Sequence, residues 1–227
     1  MTNYKFNESV RIDMEDVALV GDLAIPEDVL GLVIFAYASG DGRLLESNRF
    51  VAEHLQRSRF ATLLFDLLTE EEAKDFEKQR DIPKLTQRLI QTTYWVQQDP
   101  RTAEFGIGYM GADTGAAAAI GAAAAEGSEI AQAVVSYGGR PDLADAVLPD
   151  LQVPTLLIVG GKDEAVLEMN IQAQNQIHTI HDVELVPDAT HKFEEPGALE
   201  MAAQLATDWF RKYLKRGKQH PLHQSQP

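Results

Sequence analysis

Between Ser9 and Ile25 apolar and polar positions alternate, with Val10, Ile12 and Met14, then Val17, Leu19 and Gly21, on either side of an acidic turn. A period of two marks half-buried strands, so this stretch predicts an antiparallel hairpin at a sheet edge. Beyond Leu30 the apolar runs become continuous: GLVIFAYA, FATLLFD, FGIGYMG, IAQAVVSY and PTLLIVGG. Runs of that kind belong to strands buried on both faces of a parallel sheet. Between them, Leu44–Ser58, Pro83–Gln98, Thr114–Glu126, Ala165–Ile180 and Pro196–Leu214 carry helical period, and Asp182–Pro187 adds a further strand. Alternation of strand and helix implies right-handed crossovers with helices on both sides. The pattern predicts one three-layer α/β/α sandwich over residues 1–214, with about eight mostly parallel strands and five or six helices. From Lys215 onward, KRGKQHPLHQSQP loses all period and reads as a disordered or appended tail, 215–227.

Composition narrows the partners. The 227 residues suit one domain, and 35 Asp and Glu against 20 Lys and Arg give a formal charge of -15. Such a surface repels phosphate backbones and anionic headgroups, so nucleic acid and membrane surfaces are not expected partners. There are no cysteines, which excludes disulfides and thiolate chemistry. The N-terminus lacks the basic flank and apolar core of a secretory signal, and the small residues of Gly115–Ala125 are too few to span a bilayer, so a cytoplasmic location is the default.

In an open parallel sheet the ligand site lies beyond the carboxyl ends of the strands, so the residues that follow each apolar run carry the information. After GIGYM comes Gly111-Ala112-Asp113-Thr114-Gly115, leading straight into a helix. Small residues two before and two after a central one permit the sharp strand-to-helix turn that exposes a nucleophile, although its usual pattern places serine where Asp113 stands. After TLLIVGG comes Asp163, and after DVELVP comes His191. Nucleophile, acid and histidine in that chain order make a hydrolase triad, the acid orienting the imidazole. After VIFAY the loop Ala38-Ser39-Gly40 offers backbone N–H groups that could join Thr114 in an oxyanion hole.

These segments, with SNRFVAEHL at Ser47–Leu55, FDLLTEEE at Phe65–Glu72, GGRPDLA at Gly138–Ala144 and THKFEEPGALE at Thr190–Glu200, resemble the dienelactone hydrolase group of α/β-hydrolases from about Val10 to Leu214. The resemblance implies an α/β-hydrolase fold without a large cap, a small ester or lactone as substrate, and Asp163 and His191 as triad members. Two departures fall at the site: Asp113 replaces the group's serine, and Tyr37-Ala38 replaces its His-Gly pair.

A carboxylate attacking an ester carbonyl would give a high-energy anhydride, so serine-type hydrolysis does not follow from Asp113. Three roles remain open for it. Asp113 could attack a saturated carbon, act as base toward a water, or pair with a protonated His191 in a lapsed homologue that binds a small ligand or a protein partner. Tyr37 and Tyr137 are candidate donors to a leaving atom. Arg43, Arg49 and Arg140 are candidate carboxylate binders, with surface or capping roles as the simpler reading. Glu70, Glu71 and Glu72 read as a solvated helix start. The other histidines show no metal-ligand spacing, and the Gly-Gly pairs lack a dinucleotide fingerprint, so neither metal nor cofactor is expected.

Overall fold

The computed structural model describes residues 2–215; of the tail expected over 215–227, all but Lys215 lies outside them. An edge hairpin of β1 (Tyr4–Asp13) and β2 (Ala18–Pro26) leads into β3 (Gly31–Tyr37), α1 (Glu46–Arg57) and β4 (Phe60–Asp66). There follow α2 (Phe76–Gln79), α3 (Ile82–Gln98), β5 (Ile107–Asp113), α4 (Thr114–Glu126) and β6 (Ala131–Gly139). The chain closes with β7 (Thr155–Gly160), α5 (Glu164–Gln174), β8 (His181–Val186) and α6 (Ala198–Tyr213). The eight strands form one sheet in the order β1-β2-β4-β3-β5-β6-β7-β8. The β1–β2 and β2–β4 pairs are antiparallel and all the others parallel, as the alternating and continuous apolar runs separately required.

Two cores flank the sheet. On one side Leu85, Leu89 and Val96 of α3, the alanines of α4 and Ala173 of α5 pack on the even residues of β3. On the other, Val51, Ala52 and Leu55 of α1 join Ala202, Ala206 and Phe210 of α6 over Val33, Phe35 and Tyr37. Helix α4 can be nearly all alanine because it lies against the centre of the sheet, where small side chains let its backbone approach. A methyl group at Gly115 would collide with the carbonyl oxygen of Ala36.

Several boundaries differ from the periodicity by a residue or more, two of them for a clear local reason. Helix α5 ends at Gln174 rather than Ile180, since the chain must turn back to enter β8 at His181, and tight bonds from Gln176 N–H to Ala173 O and Ile177 N–H to Gln174 O make that turn. Residues Gly42–Leu44 form a short 3₁₀ turn before α1 begins at Glu46. No helix among the described residues is long and apolar enough to cross a membrane.

Candidate active site

Asp113 is the last residue of β5 and the N-cap of α4, with φ 47 and ψ -127. A non-glycine residue there is strained and persists only where its surroundings over-determine it. The constraint comes from both flanking glycines: a methyl at Gly111 would strike Gly115 O and Ala116. The carboxylates of Asp75, Asp81 and Asp163 cap α2, α3 and α5 by accepting N–H bonds, whereas that of Asp113 makes no capping bond to α4 and is exposed. The turn therefore presents the Asp113 side chain at the positive end of α4 without spending it on the helix.

His191 and Asp163 meet. Asp163 Oδ2 lies 2.9 Å from His191 Nδ1, while Oδ1 accepts the Val166 N–H at 3.3 Å. One carboxylate thus starts α5 and orients the imidazole, leaving Nε2 for chemistry. The ring sits over the Gly138–Gly139 turn that ends β6, next to the elbow; a methyl at Gly138, where φ is +52, would lie 3.8 Å from His191 Cε1 and 3.2 Å from the Phe193 ring. Arg140 N–H donates to Asp113 O at 3.1 Å, tying that turn to the elbow. No hydrogen bond or ion pair within 4 Å joins Asp113 to His191 among the described residues, so the pairing considered from sequence is not made.

The remaining candidates divide. Ala38 is buried and Ser39 exposed, and no backbone acceptor among the described residues takes the Ser39 N–H, which leaves it on the loop beside the elbow. Thr114 is buried at the first position of α4. Tyr37 turns its ring into the α1/α6 layer while its carbonyl accepts the Leu67 N–H at 2.7 Å. The three arginines are all engaged by the protein's own carboxylates. Arg140 is held in a fork by Asp142 at 2.8 and 2.7 Å; Arg43 reaches Asp22 at 3.2 Å and Asp66 at 3.7 Å; Arg49 reaches Asp22 at 3.9 Å.

Glu72 is not the solvated residue its run implied. Arg88, with 3% of its side chain exposed, bonds both Glu72 oxygens at 2.6 and 3.0 Å, Leu67 O at 2.9 Å and Asp16 at 3.0 Å. Lys84 adds a bond of 2.6 Å to Glu72. These contacts hold the Glu72 carboxyl well below the usual carboxylate range. They also fix the segment after β4, whose Ala73 packs on Gly40 of the loop at the site. A signal was present in the sequence: Arg88 falls on the apolar stripe of α3 with Leu85, Leu89 and Thr92.

Sequence reading also passed over Asp66, the last residue of β4. It is 6% exposed and accepts N–H bonds from the loop at Gly42 and Arg43. Burial pushes its carboxyl up to about 6, against the lowering effect of those N–H groups and of Arg43. Between pH ~4 and ~6 the folded protein then keeps a proton the unfolded chain has lost, so this group's contribution to stability falls as pH rises through that window. Asp66→Asn is expected to raise unfolding free energy by about 1–2 kcal/mol at pH 7.5 and to change it little at pH 4.5. Urea titrations at the two pH values check this, and an equal effect at both would contradict it.

The model of the dienelactone hydrolase family matches residues 20–216. A dienelactone hydrolase from Anabaena variabilis, known as a crystal structure, is 47% identical and superposes with a TM-score of 0.88, covering 92% of this chain and 99% of that one. Est1E from Butyrivibrio proteoclasticus shares the fold at 15% identity, with a TM-score of 0.77 over 90% of this chain and 98% of its own. Among curated relatives, a Mycobacterium tuberculosis protein with the provisional name phosphoribosyl transferase is 49% identical over 92% of this chain and 47% of its own length. The chain thus spans about half the length of the curated relatives it matches.

Proposed function

The chain belongs to the dienelactone hydrolase family, and on that premise we propose that it hydrolyses a small molecule at a site made of Asp113, His191 and Asp163, with Asp113 attacking a saturated carbon. The observation that carries this reading is that a strained carboxylate, not spent on capping, stands at the elbow of a fold that also holds an imidazole oriented by Asp163. Asp113 would form a C–O bond as the carbon's bond to its leaving atom breaks. Water, losing a proton to His191 Nε2, would then attack the ester carbonyl, and the departing alcohol would take that proton back. Ester hydrolysis of the serine type has no support from a carboxylate at this position.

The transferase name of the longer relatives has little support at this site. A pyrophosphate approaching the elbow would meet the exposed Asp113 carboxylate on a chain of formal charge -15.

A second reading, a lapsed homologue that binds a ligand, draws on the exposure of Asp113 and the missing bond from it to His191. Incubation with p-nitrobenzyl bromide separates the two. A nucleophilic Asp113 is expected to give a nitrobenzyl adduct on the Asp113 peptide and, after turnover in ¹⁸O-water, one ¹⁸O in that carboxylate. His191→Ala should trap the adduct and Asp113→Asn should not form it. Labelling of the natural chain no greater than that of Asp113→Asn would sink the nucleophile reading.

A further inference from the structure

At the carboxyl end of the sheet, on the α1/α6 face, one row of residues crosses four adjacent strands. Tyr37 pairs with Asp66 on β4, and Ala112 pairs with Tyr137 on β6. The β3–β5 register, Ala36 opposite Gly111, carries one step further to set Tyr37 beside Ala112. The row therefore reads Asp66, Tyr37, Ala112, Tyr137, and its small member immediately precedes Asp113. Both tyrosines are buried, and Ala112 between them, next to the elbow, keeps partial exposure.

Tyr137 is 8% exposed, and its Oη has no hydrogen-bond partner among the described residues. Packing does not require that hydroxyl, because the ring already stacks on Phe193 at 4.4 Å, as a phenylalanine would. An unpaired buried donor costs free energy, and it is retained most simply where a ligand supplies the acceptor. Burial holds the phenols of Tyr37 and Tyr137 well above the usual tyrosine range, with the two close enough that Tyr137 adds to the effect on Tyr37. Both are therefore protonated donors at any working pH.

We propose that Tyr137, with Tyr37 beside it, forms a donor subsite over Ala112 for the leaving oxygen of the substrate, and that the substrate class is a small neutral epoxide. The proposal rests on Asp113 acting as nucleophile. A leaving oxygen that becomes an alkoxide is a poor leaving group unless it is hydrogen-bonded, which is what two phenols provide. A neutral epoxide and its neutral diol also avoid the repulsion that an anionic substrate or product would meet at the exposed Asp113 carboxylate. Asp113 Oδ bonds to one epoxide carbon as its C–O bond breaks, and the alkoxide takes the Tyr137 proton. His191 deprotonates a water that cleaves the ester at its acyl carbon, and then gives that proton to the second hydroxyl. The proton released as Asp113 ionises again returns to Tyr137, so epoxide plus water yields diol.

The test compares the natural chain with Tyr137→Phe on p-nitrostyrene oxide and on p-nitrobenzyl bromide, whose leaving group needs no donor. Epoxide turnover is expected to fall about 10²-fold in Tyr137→Phe, with bromide labelling of Asp113 unchanged and the melting temperature equal or higher. Bromide labelling in both proteins, with epoxide turnover absent or indifferent to Tyr137→Phe, overturns the subsite and leaves the nucleophile standing. If neither reagent labels Asp113, the nucleophile and the epoxide assignment fall together. The donor subsite then rests on phenylacetamide binding measured by ligand-observed NMR: a tenfold loss in Tyr137→Phe supports it, and equal affinity removes it.

Discussion

Asp113→Ser is expected to hydrolyse esters through an acyl-enzyme, a route that a carboxylate at that position does not offer. On p-nitrophenyl acetate it should show a stoichiometric burst and a kcat/KM at least ~10²-fold above that of Asp113→Ala. The substitution exchanges one side chain in a turn whose backbone is set by Gly111 and Gly115, and serine is smaller than aspartate. The remaining parts are in place: His191 Nδ1 is held by Asp163 at 2.9 Å, and Thr114 opens α4 beside the elbow. A hydroxyl there can form an acyl ester that water cleaves, which a carboxylate cannot do productively. Adding His191→Ala to Asp113→Ser should abolish the burst. A serine variant no faster than Asp113→Ala would mean that Tyr37-Ala38, in place of the group's His-Gly, has spoiled the oxyanion hole, and that the family's ester chemistry is lost at more than one position.

Arg88→Met is expected to lower unfolding free energy by about 3–5 kcal/mol, because it removes the buried partner of the ion pair and leaves the part-buried Glu72 with only Lys84 and Thr69. For a domain of this size that corresponds to a fall of roughly 6–20 °C in melting temperature. Glu72 would lose its fork of two bonds, and Leu67 O and Asp16 would lose a donor. Glu72→Leu added to Arg88→Met should recover part of the loss, since the stranded carboxylate accounts for much of it. The Glu72 carboxyl is depressed in the folded state, so its contribution is complete above the unfolded value of about 4.3 and is lost only as pH falls through the lower folded value. The deficit should therefore be the same at pH 5 and pH 8. Calorimetry at both settles it, and a loss below about 1 kcal/mol would show that the network is no more than a surface feature.

The fold was legible because its signals are local and repeated. Continuous apolar runs had to be strands covered on both faces, the alternating hairpin had to be an edge, and eight strands in the expected sense are present. The glycine spacing around Asp113 located the elbow, since the collisions that a methyl would cause at Gly111 and Gly115 are why small residues stand there. Chain order gave the partnership of Asp163 and His191. Glu72 and Asp66 were misread or passed over for one physical reason: a carboxylate's environment depends on what the fold brings to it. Arg88 lies 16 positions from Glu72, and the loop N–H groups that hold Asp66 come from Gly42 and Arg43, more than 20 positions before it.

By itself, then, the sequence determined the three-layer sandwich, the strained elbow with Asp113 at its tip, and the acid and histidine that accompany it, because period, glycine spacing and chain order are properties of neighbouring residues. Tertiary structure alone decided which charges are spent and which are free. It committed Arg43, Arg49 and Arg140 to carboxylates of the protein, set a half-buried Glu72 against Arg88 and, among the described residues, left Asp113 and His191 unbonded and the Tyr137 hydroxyl without a partner. Coulomb and hydrogen-bond energies act over a few ångströms through space, and distance along the chain does not report that separation.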